Sequence, residues 1–142
     1  MSSWTDKRPM SPHVSIWKWH LTMASSILHR ATGCANYVGA ALIAAWLFAT
    51  AAGPDMYDPL AGVIASIWGQ LILFGFTLSV TYHTLNGIRH LFLDAGRGLN
   101  PKFASMTAGL VLVLAVAGSI AIWFLAGLVP GVDPLHLTGA AQ

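Results

Sequence analysis

The sequence contains no glutamate, and all five of its acidic residues are aspartates. Only 8% of its 142 residues are charged; a soluble domain carries about 25%, so an ordinary water-soluble globule is excluded. Cys34 is the sole cysteine. One thiol can form no internal disulfide and no cysteine-rich metal or iron–sulfur site. There is no GxGxxG turn for a dinucleotide or flavin and no GK[ST] phosphate loop. Without them the chain cannot oxidise a metabolite unaided. Nor is there a row of buried carboxylates that could relay ions across a membrane.

What remains is apolar. Hydrophobic residues make up 56% of the chain, in stretches without charge from Ala31 to Pro54, Pro59 to Ile88 and Phe103 to Val132. Spanning a bilayer takes roughly 20 apolar residues, which each stretch exceeds. The expected fold is therefore an all-α membrane protein of three transmembrane helices, packed up-down-up, at about 25–51, 60–93 and 104–128. A polar segment, 1–24, precedes them, and a short tail, 129–142, follows. Gly53-Pro54, Pro59, Asn100-Pro101 and Pro130-Gly131 punctuate the ends. Three helices form a thin bundle, so further helices from a partner subunit are expected to complete it.

Lys7, Arg8, Lys18 and Arg30 precede the first span, and Arg89, Arg97 and Lys102 lie between the second and third. All seven basic residues thus fall on one side, which the positive-inside rule makes the inner one. The N-terminus is expected inside and the C-terminus outside. Trp46, Trp68 and Trp123 fall near the outer ends, and Trp17 and Trp19 near the inner surface, as an interfacial belt requires. The basic excess belongs to this inner face and does not indicate nucleic acid. The first 25 residues lack the apolar core and cleavage site of a signal peptide. Asp6 opposes a retained mitochondrial presequence, so the bacterial cytoplasmic membrane is expected in preference to the mitochondrial inner membrane.

Ionisable groups in a span are costly and point to function. The first span offers Ser25, Ser26, His29, Arg30 and Asn36; the second offers Ser79, His83, Asn86, Arg89, His90 and Asp94; the third offers none. Gly109 and Gly118 of that third span are expected at close helix contacts. His83 lies roughly 9 Å deeper along its helix than Arg89, at 1.5 Å per residue. Gly75, Ser79, His83 and Gly87 recur at steps of four and share a face. Small residues above and below an imidazole leave room for a flat group such as haem, whose usual axial ligand is imidazole. They equally suit a histidine packed against a neighbouring helix, and both readings stand at this point. His29 and His90, with Arg30 or Arg89 nearby, could neutralise haem propionates or contact lipid headgroups. Ser26 and Arg30 share a helix face at i, i+4. A hydroxyl donor beside a fixed guanidinium could hold a quinone carbonyl and stabilise negative charge on it, or the arginine could anchor to phosphates.

Three motifs in order, "RPMSPH" (8–13), "SILHRATG" (26–33) and "YHTLNGIRHLFLDAG" (82–96), resemble the signatures of the cytochrome b subunit of succinate dehydrogenase. That subunit is the large membrane anchor of respiratory complex II, and the mitochondrial and alphaproteobacterial branch is the most similar. The resemblance covers essentially the whole chain. It implies that His83 is an axial ligand of haem b, with the second ligand supplied by a small anchor subunit. It implies that Ser26 and Arg30 bind ubiquinone, with Ile27 in apolar contact with the ring. It also implies that His29 and His90 lie near the haem propionates, Arg30 contributing charge there. Arg89 and Asp94 have no settled role: they could contact propionates, dock the iron–sulfur subunit or pair with each other. The implied partners are the small anchor, the iron–sulfur subunit, the succinate-oxidising flavoprotein and the lipid bilayer. Two rival readings are a purely structural anchor whose histidines only pack, and a small transport protein; the featureless third span and the lack of a continuous polar path weigh against transport.

Overall fold

A computed structural model of the chain describes residues 18–128, all helical apart from short turns. The expectations for the opening motif, Trp17, His13, His136 and the C-terminal tail lie wholly or mainly outside the described residues. Four helices follow one another: α1 (Leu21–Ala52), α2 (Pro54–Ala65), α3 (Ile67–Asp94) and α4 (Pro101–Leu125). Of these, α1, α3 and α4 are long and apolar enough to cross a membrane.

The boundaries follow from local chemistry. α1 begins as soon as the backbone leaves the extended conformation of His20, whose carbonyl accepts from the amides of Met23 and Ala24. It ends at Gly53, whose φ of 106° is a glycine conformation. Pro54 then opens α2 from the first-turn position that tolerates a missing N–H.

The second span differs from its expected form. α2 runs through Pro59, and the chain breaks at Ser66 before α3 begins at Ile67. The break is built locally. The Ser66 hydroxyl donates to the Val63 carbonyl at 2.6 Å and accepts from the Gly69 amide at 3.2 Å, closing one helix and capping the next. Gly69 is also required, because a Cβ there would strike the carbonyl oxygens of Val63 and Ile64.

α3 ends with paired bonds from Gly96 N–H to the Leu93 carbonyl and from Arg97 N–H to the Phe92 carbonyl. Gly96 supplies the positive φ of 73° that this ending needs. The Asn100 side chain then accepts from the amides of Lys102 and Phe103, with Pro101 in the first turn of α4.

α3 lies between α1 and α4, which also touch each other. Its seam with α4 is made close by small residues: Ala108, Ala115 and Ser119 are buried, with Tyr82 and Val111 completing the core. Small side chains let helix backbones approach where lipid provides no hydrophobic drive. Gly109 and Gly118 sit near this packing but are not its tightest points, since a Cβ on either would meet only ordinary van der Waals contact. The closest approach is instead at Gly39 of α1, where the ring of Phe76 occupies the space a Cβ would need.

Trp123 departs from the belt expected of it. It is buried, donates its indole N–H to Thr77 Oγ1 at 3.1 Å and meets Phe74 edge-on with ring centroids 5.3 Å apart. Trp19, Trp46 and Trp68 are exposed.

Candidate functional site

The polar residues of α1 and α3 meet in one seam. On α1, positions 25, 29, 32 and 36 recur at helical spacing and face α3, so Ser25, His29, Thr32 and Asn36 form a ladder. Across the seam Ser25 meets Asn86 and Tyr82, His29 and Thr32 meet His83, and Asn36 meets Ser79, the order antiparallel helices require. In hydrocarbon each polar group must be satisfied internally, and nearly every rung is.

The first rung is fully buried. Ser25 Oγ donates to Asn86 Oδ1 at 3.0 Å and lies 3.1 Å from the Tyr82 hydroxyl, which donates to the Ser25 carbonyl at 2.9 Å. The last rung joins Ser79 Oγ to Asn36 Oδ1 at 2.7 Å. His29 and His83 stand between these rungs, and His90 lies one turn beyond Asn86. The rings of His29 and His83 stack with centroids 4.0 Å apart and planes 10° from parallel. His90 lies on the other side of His29 at 5.0 Å, tilted by 48°. Asn86 Nδ2 is 3.4 Å from His90 Nε2.

Two glycines make room for the stack. A Cβ on Gly33 would come within 3.2 Å of His83 Cε1, and one on Gly87 within 3.8 Å of His29 Cε1. Each helix thus seats the other's imidazole over a glycine. The small face of α3 at Gly75, Ser79, His83 and Gly87 is therefore partly filled by His29, while nothing lies within 4 Å of a Cβ at Gly75.

His83 has one committed nitrogen and one free. Its Nδ1 is 3.1 Å from the His29 carbonyl oxygen and 3.2 Å from Thr32 Oγ1. The Thr32 hydroxyl hydrogen is directed to the Leu28 and His29 carbonyls, at 2.9 and 3.0 Å. Both neighbours therefore accept from Nδ1, which must carry the proton. Nε2 is left with its lone pair and no hydrogen-bond partner among the described residues, which is how a histidine is set to bind a metal. No cluster of three or more histidine, cysteine or acidic side chains that could hold a metal ion by themselves occurs among the described residues. The stacked rings cannot converge on one ion, because their in-plane lone pairs lie in parallel planes. The donor set consequently fits single-imidazole axial ligation of haem and does not fit a bare ion. His29 adds a second sign of a missing partner, since its Nδ1 is buried without a hydrogen bond.

The residues proposed from sequence for a quinone lie around the corner of α1. Ser26 is half-buried, Ile27 and Arg30 are exposed, and neither Ser26 nor Arg30 bonds to any other described residue. Two apolar clefts occur nearby: one of about 940 Å³ between α1, α2 and α3, and one of about 340 Å³ between α1, α3 and α4. Neither is lined by Ser26, Arg30, His29, His83 or His90.

Arg89, left open by the sequence, turns away from this group. It is buried, and its Nε and Nη2 donate to Thr107 Oγ1 at 3.1 Å and to the Ala104 carbonyl at 2.9 Å. It pins the first turns of α4 to α3, whereas Asp94 is exposed. Sequence reasoning missed this clamp, and it missed Thr32 and Tyr82. For Thr32 a signal existed: it stands three residues after His29 and so on the same helix face.

Comparison with known proteins identifies the family. Residues 5–122 match the family model described as succinate dehydrogenase/fumarate reductase transmembrane subunit. The chain is 38% identical over 118 residues to the succinate dehydrogenase cytochrome b556 subunit of Rickettsia bellii, covering 83% of this chain and 92% of that protein. It is 36% identical over 115 residues to the b556 subunit of Paracoccus denitrificans, covering 81% and 85%. It is 37% identical over 122 residues to the mitochondrial succinate dehydrogenase cytochrome b560 subunit of Sus scrofa, covering 81% and 69%.

Proposed function

This chain belongs to the succinate dehydrogenase/fumarate reductase transmembrane subunit family, and from that membership we propose that it ligates haem b through His83 and helps form the site where ubiquinone is reduced. It is a multi-pass membrane subunit of succinate dehydrogenase. The observation that carries the haem assignment is the state of His83, with Nδ1–H held by two acceptors and Nε2 without a hydrogen-bond partner among the described residues.

Ligation by one imidazole calls for a second from elsewhere, and the remaining described histidines sit beside His83 or outside the spans. The small anchor subunit is the natural source. The unpartnered Nδ1 of His29 and the neighbouring His90 suit the acidic propionates, to which they would offer N–H donors. Bound haem supplies a one-electron store within the membrane.

Electrons reach this subunit from succinate by way of the flavoprotein and the iron–sulfur subunit. Ubiquinone takes up two electrons and two protons to become ubiquinol. Ser26 donates its hydroxyl to a quinone carbonyl, and Ile27 packs against the ring. Arg30 is permanently charged and stabilises the negative charge that develops on oxygen as electrons arrive before protons. That neither Ser26 nor Arg30 bonds to another described residue, and that neither lines the two apolar clefts, supports a pocket completed by the other subunits. Their place at the start of α1, beside the basic inner face, puts the pocket where lipid-borne quinone meets protons from the aqueous side. The N-terminus lies inside, and the membrane is the bacterial cytoplasmic one.

The test compares two activities of the purified complex. Ser26→Ala and Arg30→Leu are expected to lower succinate-driven ubiquinone reduction by on the order of 10²-fold, while an artificial dye is still reduced by the soluble subunits. Equal loss of both activities, or loss of neither, would contradict the assignment.

A further inference from the structure

The α1–α3 seam holds the His83 imidazole on three sides. Its Nδ1–H points to Thr32 Oγ1 and the His29 carbonyl, its Cε1 edge lies over Gly33, and its face is covered by the His29 ring. We propose that Thr32 and Gly33 are positioning residues for the iron ligand: Thr32 sets the direction and basicity of His83, and Gly33 sets how closely it is seated. The proposal rests on His83 being the haem ligand.

Thr32 suits this task because its own hydrogen is already committed. With that hydrogen directed to the carbonyls of Leu28 and His29, only lone pairs of Oγ1 face His83. The hydroxyl is thus locked as an acceptor and cannot compete for the proton on Nδ1. An acceptor at the distal nitrogen makes an imidazole a stronger electron donor at the other nitrogen. Stronger donation favours the more positive, oxidised iron and lowers its midpoint potential.

Gly33 acts through space alone. A methyl group there would sit 3.2 Å from His83 Cε1, closer than such groups normally rest, and 3.7 Å from Nδ1, an ordinary contact. The ring can yield only by turning, since His29 stacks against its face. Turning would pull Nδ1 away from its acceptors.

The experiment titrates the haem of the purified complex and records its absorption spectrum in variants at 32 and 33. Thr32→Val keeps the branched shape and removes the Oγ1 acceptor together with the hydroxyl's bonds to the Leu28 and His29 carbonyls, leaving the His29 carbonyl as the one acceptor for Nδ1–H. It is expected to raise the ratio of reduced to oxidised haem at a fixed potential, by up to about fivefold, the ceiling set by the net worth of one hydrogen bond. Thr32→Ser keeps the hydroxyl and is expected to restore the original titration. Gly33→Ala is expected to shift the titration in the same direction as Thr32→Val and to lower haem occupancy. Thr50, which bonds only within the far end of α1, is the control: Thr50→Val should leave the titration unchanged.

An unchanged potential in Thr32→Val would overturn the proposal, and so would equal shifts in Thr32→Val and Thr32→Ser, which would signify packing alone. If Thr32→Val does not assemble, Thr32→Ala removes the same acceptor with less bulk, and the same shift is expected of it. Failure of the underlying haem assignment looks different: the titration would then also ignore His83→Ala.

Discussion

The Ser25–Asn86 rung should carry measurable coupling between α1 and α3. Asn86 is 0% exposed and Ser25 1%, so no water can replace a lost partner. Replacing Asn86 with alanine removes the acceptor 3.0 Å from Ser25 Oγ and the amide beside His90. A buried group left unsatisfied costs about 1–3 kcal/mol. The lower end applies, because the Ser25 hydroxyl can turn to the Tyr82 oxygen 3.1 Å away. Ser25→Ala should cost less, since Tyr82 keeps its bond to the Ser25 backbone carbonyl. Interhelical hydrogen bonds in membranes average about 0.6 kcal/mol and reach about 1.7, so the pair should couple within that range. The assay is a double-mutant cycle on the assembled complex, unfolded reversibly in mixed micelles of mild and denaturing detergent. Additivity within about 0.3 kcal/mol, the behaviour of independent sites, would refute the reasoning.

Two further perturbations probe the rest of the bundle. Arg89→Ala should loosen the α4 junction by about 1–3 kcal/mol through loss of two buried bonds, and Arg89→Lys should recover part of it; faster proteolysis between residues 95 and 100 reports the loosening. Gly39→Val should cost about 1–3 kcal/mol by overpacking against Phe76, and Phe76→Ala in the same chain should restore the thermal midpoint of the complex.

The spans were legible because a charge-free run long enough to cross a bilayer has few alternatives. The start of α4 was only partly legible: the expected span began at 104, whereas Asn100-Pro101 supplies the cap and first turn from which the helix opens. The break at Ser66 was not, because a serine gives no sign of breaking a helix until its hydroxyl is seen reaching Val63 and Gly69. Trp123 looked interfacial by its position along the chain, but its burial depends on the facing Thr77 and Phe74, which sequence order does not pair with it. At the site, the three histidines could be named from type, depth and motif. Their stacking could not, because it depends on the registry that sets His29 over Gly87 and His83 over Gly33. Arg89 shows the same limit: its charge was visible, but the acceptors on α4 become neighbours only after the turn at Gly96 and Gly98 folds the chain back.

The central claim is that the free nitrogen of His83 binds haem iron. Its most direct test is the reduced-minus-oxidised spectrum of the purified complex, recorded for the wild type and for His83→Ala alongside a redox titration. The account predicts a b-type band in the wild type that is lost, or shifted in midpoint potential, in the variant. A band that persists in His83→Ala with an unaltered midpoint would contradict it.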